Sequence, residues 1–213
     1  NKGDVYMPEA WGWWKMTPEM TLGGGYTGTL ANIGFGLDGS CNCYTTDNAP
    51  QWLNPGDRTQ MRLSYDSGPI SMAVALEDAD FSDPSLGSGV ASDTLGVASE
   101  VKWNGDMFSA EISGGWWNGA AGSASDAYQI GVGGKVALGD MASLSVGAGV
   151  GQSTSNNDYW KASALLHANL SDSISAQIGY GYSDWDQLSL GSFGYYGGTG
   201  THYNAKVHSV IAG

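Results

Sequence analysis

The sequence predicts an all-β fold, an antiparallel up-and-down β-barrel, and three observations lead to this prediction. Large apolar residues alternate with small or polar ones in eleven segments of the chain, with the period of a β-strand. Tight turns and long loops alternate between these segments, as in a meander with one tight edge and one loop-bearing edge. The segments are about 10 residues long, the length that a tilted strand needs to cross a bilayer. A soluble sandwich would have shorter strands and no reason to sort its connections by length.

The clearest element is the hairpin over residues 58–77, RTQMRLSYDSGPISMAVALE. In its first half Met61, Leu63 and Tyr65 share one face, while polar residues share the other. Its second half repeats the alternation, and the turn-forming sequence DSGP at 66–69 joins the two halves. One face of the hairpin is therefore large and apolar, and the other is small or polar and carries an arginine and a glutamate.

The other strands repeat this two-faced pattern. Pro8 within the first of them indicates an edge strand or a bulge, and Asn-Gly-Asp at 104–106 is a strong hairpin turn. These strands are predicted at residues 5–15, 20–25, 94–104, 107–117, 128–136, 144–150, 160–170, 174–182 and 203–211. The tight turns are predicted at 16–19, 66–69, 104–106, 139–141 and 171–173, and the long connections at 26–57, 78–93, 118–126, 153–158 and 184–200.

Composition excludes several classes of protein. The net charge is −13, which argues against a nucleic-acid partner because binding requires cationic neutralisation of phosphates. The sequence contains no run of 18 apolar residues, so it predicts no transmembrane helix. Cys41 and Cys43 form a C-x-C pair with no histidine nearby, so we interpret them as a strained local disulfide or two free thiols in a loop rather than as a metal site.

The chemistry of the two faces predicts which one points outward. An outer-membrane barrel directs apolar residues to lipid and polar residues to its lumen, the reverse of a soluble barrel. The polar face is rich in Gly, Ser and Ala and carries few charges, whereas a soluble exterior would carry many more. Aromatic residues near the strand ends would form the girdles at the lipid–water boundary: Tyr65, Trp103, Trp116, Tyr128, Trp160, Tyr180 and Tyr182. We therefore predict a transmembrane β-barrel; the alternative is that these aromatics are core residues of a β-sandwich.

Residues 58–186 resemble the alphaproteobacterial general porins, of the type found in rhizobia and brucellae. The resemblance lies, in order, in SYDSGPISMAVALED, VASEVKWNGDMFSAEISGGWW, DAYQIGVGGKVAL and HANLSDSISAQIGYGYSDWD, which correspond to successive barrel strands in that family. The preceding GGYTGTLANIGFGLD resembles the start of the family's constriction loop, which implies that residues 26–57 fold into the lumen. The resemblance further implies a homotrimer of barrels with roughly 16 strands each. The chain is then expected to be a fragment of one such barrel domain, covering roughly strands 4–14, with residues missing at both ends.

The function expected from these features is passive diffusion of ions and small hydrophilic solutes across the outer membrane of a Gram-negative bacterium. Lumenal charges and a narrowing loop would set the selectivity of such a pore. In this interpretation three loop acids oppose four cations of the barrel wall, with three wall glutamates beside them. The candidate pore-constriction residues are Asp38, Asp47, Asp57, Arg62, Lys102, Lys135, Lys161, Glu77, Glu100 and Glu111. The net charge predicts a mild cation preference, although outer loops that bind divalent cations and lipopolysaccharide are another use for the acidic residues.

Three alternatives remain at this stage. The first is a structural or adhesive outer-membrane barrel that does not conduct, and the second is a soluble, carbohydrate-binding β-sandwich. An enzyme is the least expected, because His167, His202 and His208 have no nucleophile motif nearby. No cofactor or metal site is predicted; the acidic stretch at 77–83 lacks the EF-hand spacing and is interpreted as solvated surface.

Overall fold

A computed structural model describes residues 9–37, 57–78, 95–118, 126–152, 157–171, 173–189 and 202–212. Eleven strands form in these ranges: β1 Ala10–Lys15, β2 Met20–Gly28, β3 Asp57–Ser67, β4 Ile70–Asp78, β5 Leu95–Asn104, β6 Phe108–Trp117, β7 Ala127–Ala137, β8 Ala142–Gln152, β9 Asp158–Ser171, β10 Ile174–Ser189 and β11 His202–Ala212. All of them belong to one antiparallel sheet in which spatial order follows chain order. Within the described residues, β1 and β11 each pair with one strand only, so the sheet is open between them.

The up-and-down topology follows from the turn chemistry of the tight connections. Ser67 pairs directly with Ile70, which leaves a two-residue hairpin loop of Gly68 and Pro69. Gly68 has a φ of 58°, a conformation that such a loop requires and that glycine adopts without steric cost. The predicted turn at 66–69 and the predicted antiparallel meander are therefore confirmed. The part of the chain that the structure covers contains no helix long and apolar enough to cross a membrane.

Several strands are longer than predicted, β10 most of all. Tyr26, Thr27 and Gly28 continue β2, and Asp57 begins β3, so the connection between them runs over 29–56 rather than 26–57. β10 continues to Ser189, into the segment predicted as a loop from residue 184. Strand ends are set here by pairing with the neighbouring strand, which continues after the apolar alternation has stopped. Residues 5–8 of the predicted first strand lie outside the described residues.

The orientation of the two faces agrees with the prediction for an outer-membrane barrel. Large apolar side chains on one face, the outer face, are exposed, as are Met61, Val74 and Ile112. Polar side chains on the opposite face, the inner face, are buried, as are Gln60 and Gln129. A single sheet with this arrangement is not a β-sandwich, so the sandwich alternative is wrong. The predicted girdle aromatics lie on the outer face: Tyr65, Trp103, Trp116, Tyr128, Trp160, Tyr180 and Tyr182.

The facing of β11 differs from the prediction. The alternation of Asn204, Lys206 and His208 with apolar residues predicts that these polar residues face inward, but Lys206 and His208 pair with Asp184 and Tyr182 on the outer face of β10. There the Nδ1 atom of His208 lies 2.6 Å from the Tyr180 hydroxyl oxygen. The strand has a period of two, so a shift of one residue in register moves every side chain to the opposite face. The hydrogen-bonded register with β10, rather than the alternation of β11 itself, therefore sets which phase of β11 faces outward.

Candidate functional site: the inner face and the segment that lies on it

Residues 29–37, the inner segment, leave the end of β2 and lie across the inner face of the sheet. Their backbone amides donate hydrogen bonds to side chains of four different strands. These bonds are Leu30 N to Glu77 Oε1 (3.4 Å), Gly34 N to Glu111 Oε2 (3.0 Å), Gly36 N to Ser145 Oγ (2.8 Å) and Leu37 N to Ser163 Oγ (3.1 Å). The acceptors belong to β4, β6, β8 and β9 in that order. The inner segment is therefore attached at intervals across six strands, and its donors are satisfied by the wall rather than by a strand partner.

Glu77 is the centre of the first attachment point. Its side chain is 0 % exposed, and its two carboxylate oxygens accept the Thr29 hydroxyl at 2.8 and 2.9 Å. The indole Nε1 of Trp117 donates to Oε2 at 3.0 Å. A buried carboxylate is tolerated only when its lone pairs are occupied by donors, and hydrogen bonds to a charged acceptor are the stronger kind. Glu77 thus links β4, β6 and the beginning of the inner segment.

Trp117 also contacts a buried arginine. The Arg58 guanidinium carbon lies 5.6 Å from the Trp117 ring centroid, within the range of a cation–π interaction. Arg58 Nη1 donates to the Asp78 carbonyl oxygen at 2.7 Å. Gly96 provides the space for the indole, because a Cβ atom at residue 96 would overlap the Trp117 ring. The arrangement connects β3 to β6 on the inner face beside Glu77.

A second attachment point joins the inner segment to β7. Gln129 Nε2 donates to the Ala31 carbonyl oxygen at 2.7 Å, and its Oε1 accepts the Tyr159 hydroxyl at 3.0 Å. The Tyr159 ring stacks on Trp185 with 4.3 Å between centroids. This chain of contacts runs from the inner segment across β7 and β9 to β10, and it holds the Gln129 amide in one orientation.

The apolar side chains of the inner segment pack against glycines of the wall. A Cβ at residue 133 would come within 2.7 Å of Ile33 Cγ2, and one at residue 179 would overlap Leu37. A Cβ at residue 147 would lie 3.0 Å from the Phe35 carbonyl oxygen. Gly36 has a φ of 74° and approaches Ser163 too closely for a side chain. The close approach of segment and wall therefore depends on glycine on both sides.

The structure places most of the predicted constriction residues on the inner face, but in different surroundings. Lys102 Nζ lies 2.7 Å from Glu100 Oε2 on β5, and Lys102 pairs in register with Glu111. Lys161 is buried on β9. Arg62 faces inward on β3, and Lys135 lies exposed on the inner face near the tight-turn end of β7.

The structure brings Glu100, Lys102 and Glu111 together on β5 and β6, and Lys135 lies on β7 two residues from Gly133, the partner of Glu111. Glu77 pairs with Gly96, four residues along β5 from Glu100, and Lys161 lies on β9. Glu77 and Glu111 hold the inner segment through hydrogen bonds rather than lining open space. Asp38 and Asp47 lie outside the described residues, as does the side chain of Asp57. Cys41 and Cys43 lie there too.

Sequence reasoning missed most of the residues that hold the inner segment. The inward orientation of Trp117 could have been predicted from the sequence. Trp116 lies on the apolar face, and a strand period of two then directs Trp117 inward. The alternation of their strands places Ser145, Ser163 and Gln129 on the polar face, but nothing in their spacing indicates a common partner. Their roles arise from contacts between residues that are distant in sequence.

The comparisons with known proteins concern the fold. No family model matches the sequence, and no curated protein matches it. The solved structures that resemble the chain include two outer-membrane proteins. An anion-selective porin from Comamonas acidovorans has a TM-score of 0.58 at 13 % identity, over 95 % of this chain and 57 % of that one. OmpT, an outer membrane protein of Vibrio cholerae, has a TM-score of 0.54 at 9 % identity, over 96 % of this chain and 62 % of that one.

These similarities define a class of protein. The chain has the fold of outer-membrane β-barrel proteins, which agrees with the outward apolar face and the up-and-down order of the strands. It spans less than two thirds of the length of either similar structure.

Proposed function

We propose that the protein is a passive diffusion channel for ions and small hydrophilic solutes in the outer membrane of a Gram-negative bacterium. The observation that carries this proposal is the inversion of the sheet, with polar side chains on the inner face and a segment hydrogen-bonded across that face. A polar inner wall solvates ions and sugars, whereas the apolar outer face is suited to lipid. The similarity in fold to a porin supports the same function.

In this proposal the inner segment narrows the pore. It begins beside β2 and reaches β9 without forming a strand, so it occupies cross-section that would otherwise be water. The candidate charges on the wall, with Asp38 and Asp47 in the connection that follows and Asp57 at the start of β3, then act on the passing solute. Opposed charges across a narrow gap orient dipolar solutes and disfavour apolar ones. Diffusion needs no catalytic group, and we propose no enzymatic activity.

The distribution of acids supports the predicted mild cation preference. The connections at 29–56, 79–94, 119–125, 153–156 and 190–201 contain five aspartates and no lysine or arginine. All five connections join strand ends at the same edge of the meander, and we propose that their charges belong to one mouth of the channel. A mouth of one charge sign concentrates the opposite ion and raises its entry rate. We also propose a homotrimer that contacts lipopolysaccharide at this edge.

Electrical recording in a planar lipid bilayer tests the function. The protein is extracted from outer membranes in detergent and reconstituted under a salt gradient. We expect large ohmic current steps, closure in groups of three at high voltage, and a reversal potential of the sign for weak cation preference. A protein that is folded by circular dichroism and heat-dependent gel mobility but never conducts would overturn the proposal in favour of a structural or adhesive barrel. Conductance with anion preference would refute only the assignment of charge selectivity.

A further inference from the structure

A groove on the inner face of β1, β2 and β3 lies apart from the wall residues that hold the inner segment. It is lined by two tryptophans, two cations, an acid and hydroxyl groups: Trp11, Trp13, Lys15, Arg62, Asp66 and Ser64, with Thr21 beside them. Register places these residues on one face, since Trp13 pairs with Gly23, and Gly23 pairs with Arg62. The groove lies toward the tight-turn end of these strands, where β1 and β2 are joined.

The exposure of Trp13 distinguishes this groove from the rest of the inner face. Its side chain is 68 % exposed although it belongs to the inner face. Every other large apolar side chain that is strongly exposed on a described strand lies on the outer face, including its neighbour Trp14. An indole that is left in contact with water on a polar wall offers a flat apolar surface and one hydrogen-bond donor to a solute.

Arg62 is held in a fixed position beside Trp13. Its Nε and Nη2 atoms donate to Gln60 Oε1 at 3.1 and 2.9 Å, and Nη2 also donates to the Gly28 carbonyl oxygen at 2.7 Å. The guanidinium carbon lies 5.3 Å from the ring centroid of Trp11. Among the described residues, the Nη1 nitrogen donates to no acceptor. The side chain is therefore positioned by its other nitrogens and retains donors for a ligand.

The groups of the groove match the chemistry of an acidic sugar. An exposed indole stacks on the apolar C–H face of a pyranose ring, and small polar groups fix its orientation. Two cations, Arg62 and Lys15, and one acid, Asp66, line the groove. Arginine and lysine bind carboxylates through charge-assisted hydrogen bonds, and Asp66 and Ser64 accept hydroxyl protons.

We propose that this groove is a binding subsite for sugars that carry a carboxylate, such as a uronic acid and its short oligomers. Trp13 stacks on the ring, Arg62 and Lys15 bind the carboxylate, and Asp66 accepts a ring hydroxyl. The proposal rests on the proposed function only in that the solute reaches the groove through the lumen; binding itself does not require conduction.

The test is a calorimetric and fluorescence titration of the detergent-solubilised protein with trigalacturonate, using uncharged maltotriose of the same ring number for comparison. We expect trigalacturonate to quench tryptophan fluorescence and to bind about tenfold more tightly than maltotriose. Trp13→Ala and Lys15→Gln should each weaken trigalacturonate binding by about tenfold. Trp14→Ala and Lys206→Gln, both on the outer face, are the matched controls and should leave binding unchanged.

The possible outcomes separate the subsite from the channel. Equal affinity for the two trisaccharides, or no binding of either, overturns the proposal even if the protein conducts normally. Equal effects of Trp13→Ala and Trp14→Ala overturn the location. If Trp13→Ala fails to fold by circular dichroism, Trp13→Phe and Lys15→Gln replace it, and unchanged binding in both refutes the assignment. Binding by a protein that shows no current supports the subsite and refutes the diffusion channel.

Discussion

Replacing Glu77 with alanine is expected to release the start of the inner segment from the wall. The substitution removes the acceptor of three buried donors: the Thr29 hydroxyl, the Leu30 amide and the Trp117 indole. Each buried donor left without a partner costs about 1–3 kcal/mol. The Leu30 contact is long at 3.4 Å, so the loss comes mainly from Thr29 and Trp117. Removing a buried charge also removes the free-energy cost of its desolvation, which partly offsets the loss of stability from the unpaired donors. The net decrease in the free energy of unfolding is on the order of 3 kcal/mol.

The matched control is Glu100→Ala. Glu100 is also an inward-facing glutamate on the adjacent strand, but its ion pair with Lys102 is partly open to solvent. An ion pair of this kind is worth roughly 0–1 kcal/mol, so its loss should change the unfolding free energy by less than about 1 kcal/mol.

Two assays follow the effect of Glu77→Ala. Urea unfolding in detergent, monitored by circular dichroism, gives the free energy of unfolding of both variants. Proteinase K digestion followed by mass spectrometry reports whether residues 29–37 have become accessible. Equal unfolding free energies for Glu77→Ala and Glu100→Ala, with the inner segment protected in both, would refute the role of Glu77 as an anchor.

Two further substitutions test the packing of the inner segment against the wall and the orientation of the two faces of the sheet. Gly179→Ala places a Cβ where Leu37 packs, so it should lower the free energy of unfolding by about 1–3 kcal/mol and expose the inner segment to proteinase K. At Gly24 a Cβ would meet only a carbonyl oxygen at 3.9 Å, so Gly24→Ala should have neither effect. Equal protease sensitivity of the two glycine variants would contradict the close packing. Ile112→Lys puts a charge on the outer face and should cost about 2–4 kcal/mol when the protein folds into lipid vesicles, as measured by urea titration. Ser143→Lys, near the tight-turn end of the inner face, should fold normally, and a larger loss for Ser143→Lys than for Ile112→Lys would reverse the assignment of inside and outside.

Side-chain alternation predicted much of the fold because strand geometry is a local property. The period of two places Met61 and Leu63 on one face and Gln60 and Arg62 on the other, whatever the neighbouring strand does. The same period gives the correct facing for β3 to β10. It was not sufficient for β11, where the hydrogen-bonded register with β10 places Lys206 and His208 on the outer face.

The candidate site was predictable only in outline. The apolar residues between Leu30 and Leu37 suggested that this stretch folds back against something, and the structure places it on the inner face. The acceptors that hold it there, Glu77 and Ser145 among them, lie far along the chain. The positions of wall glycines such as Gly133 acquire their meaning only from the segment that packs on them.

The sequence by itself determined the class of fold and the chemistry of its two faces, since strand period, turn residues and loop lengths act over a few residues at a time. Only the tertiary structure decided which inward residues bind the segment and which remain open to solution. Glu77 and Glu100 are both glutamates on the polar face of adjacent strands, yet one is fully buried by three donors and the other pairs with Lys102 beside open space. Their difference depends on where a distant piece of chain lies, and contacts of that kind are formed by the folded sheet as a whole.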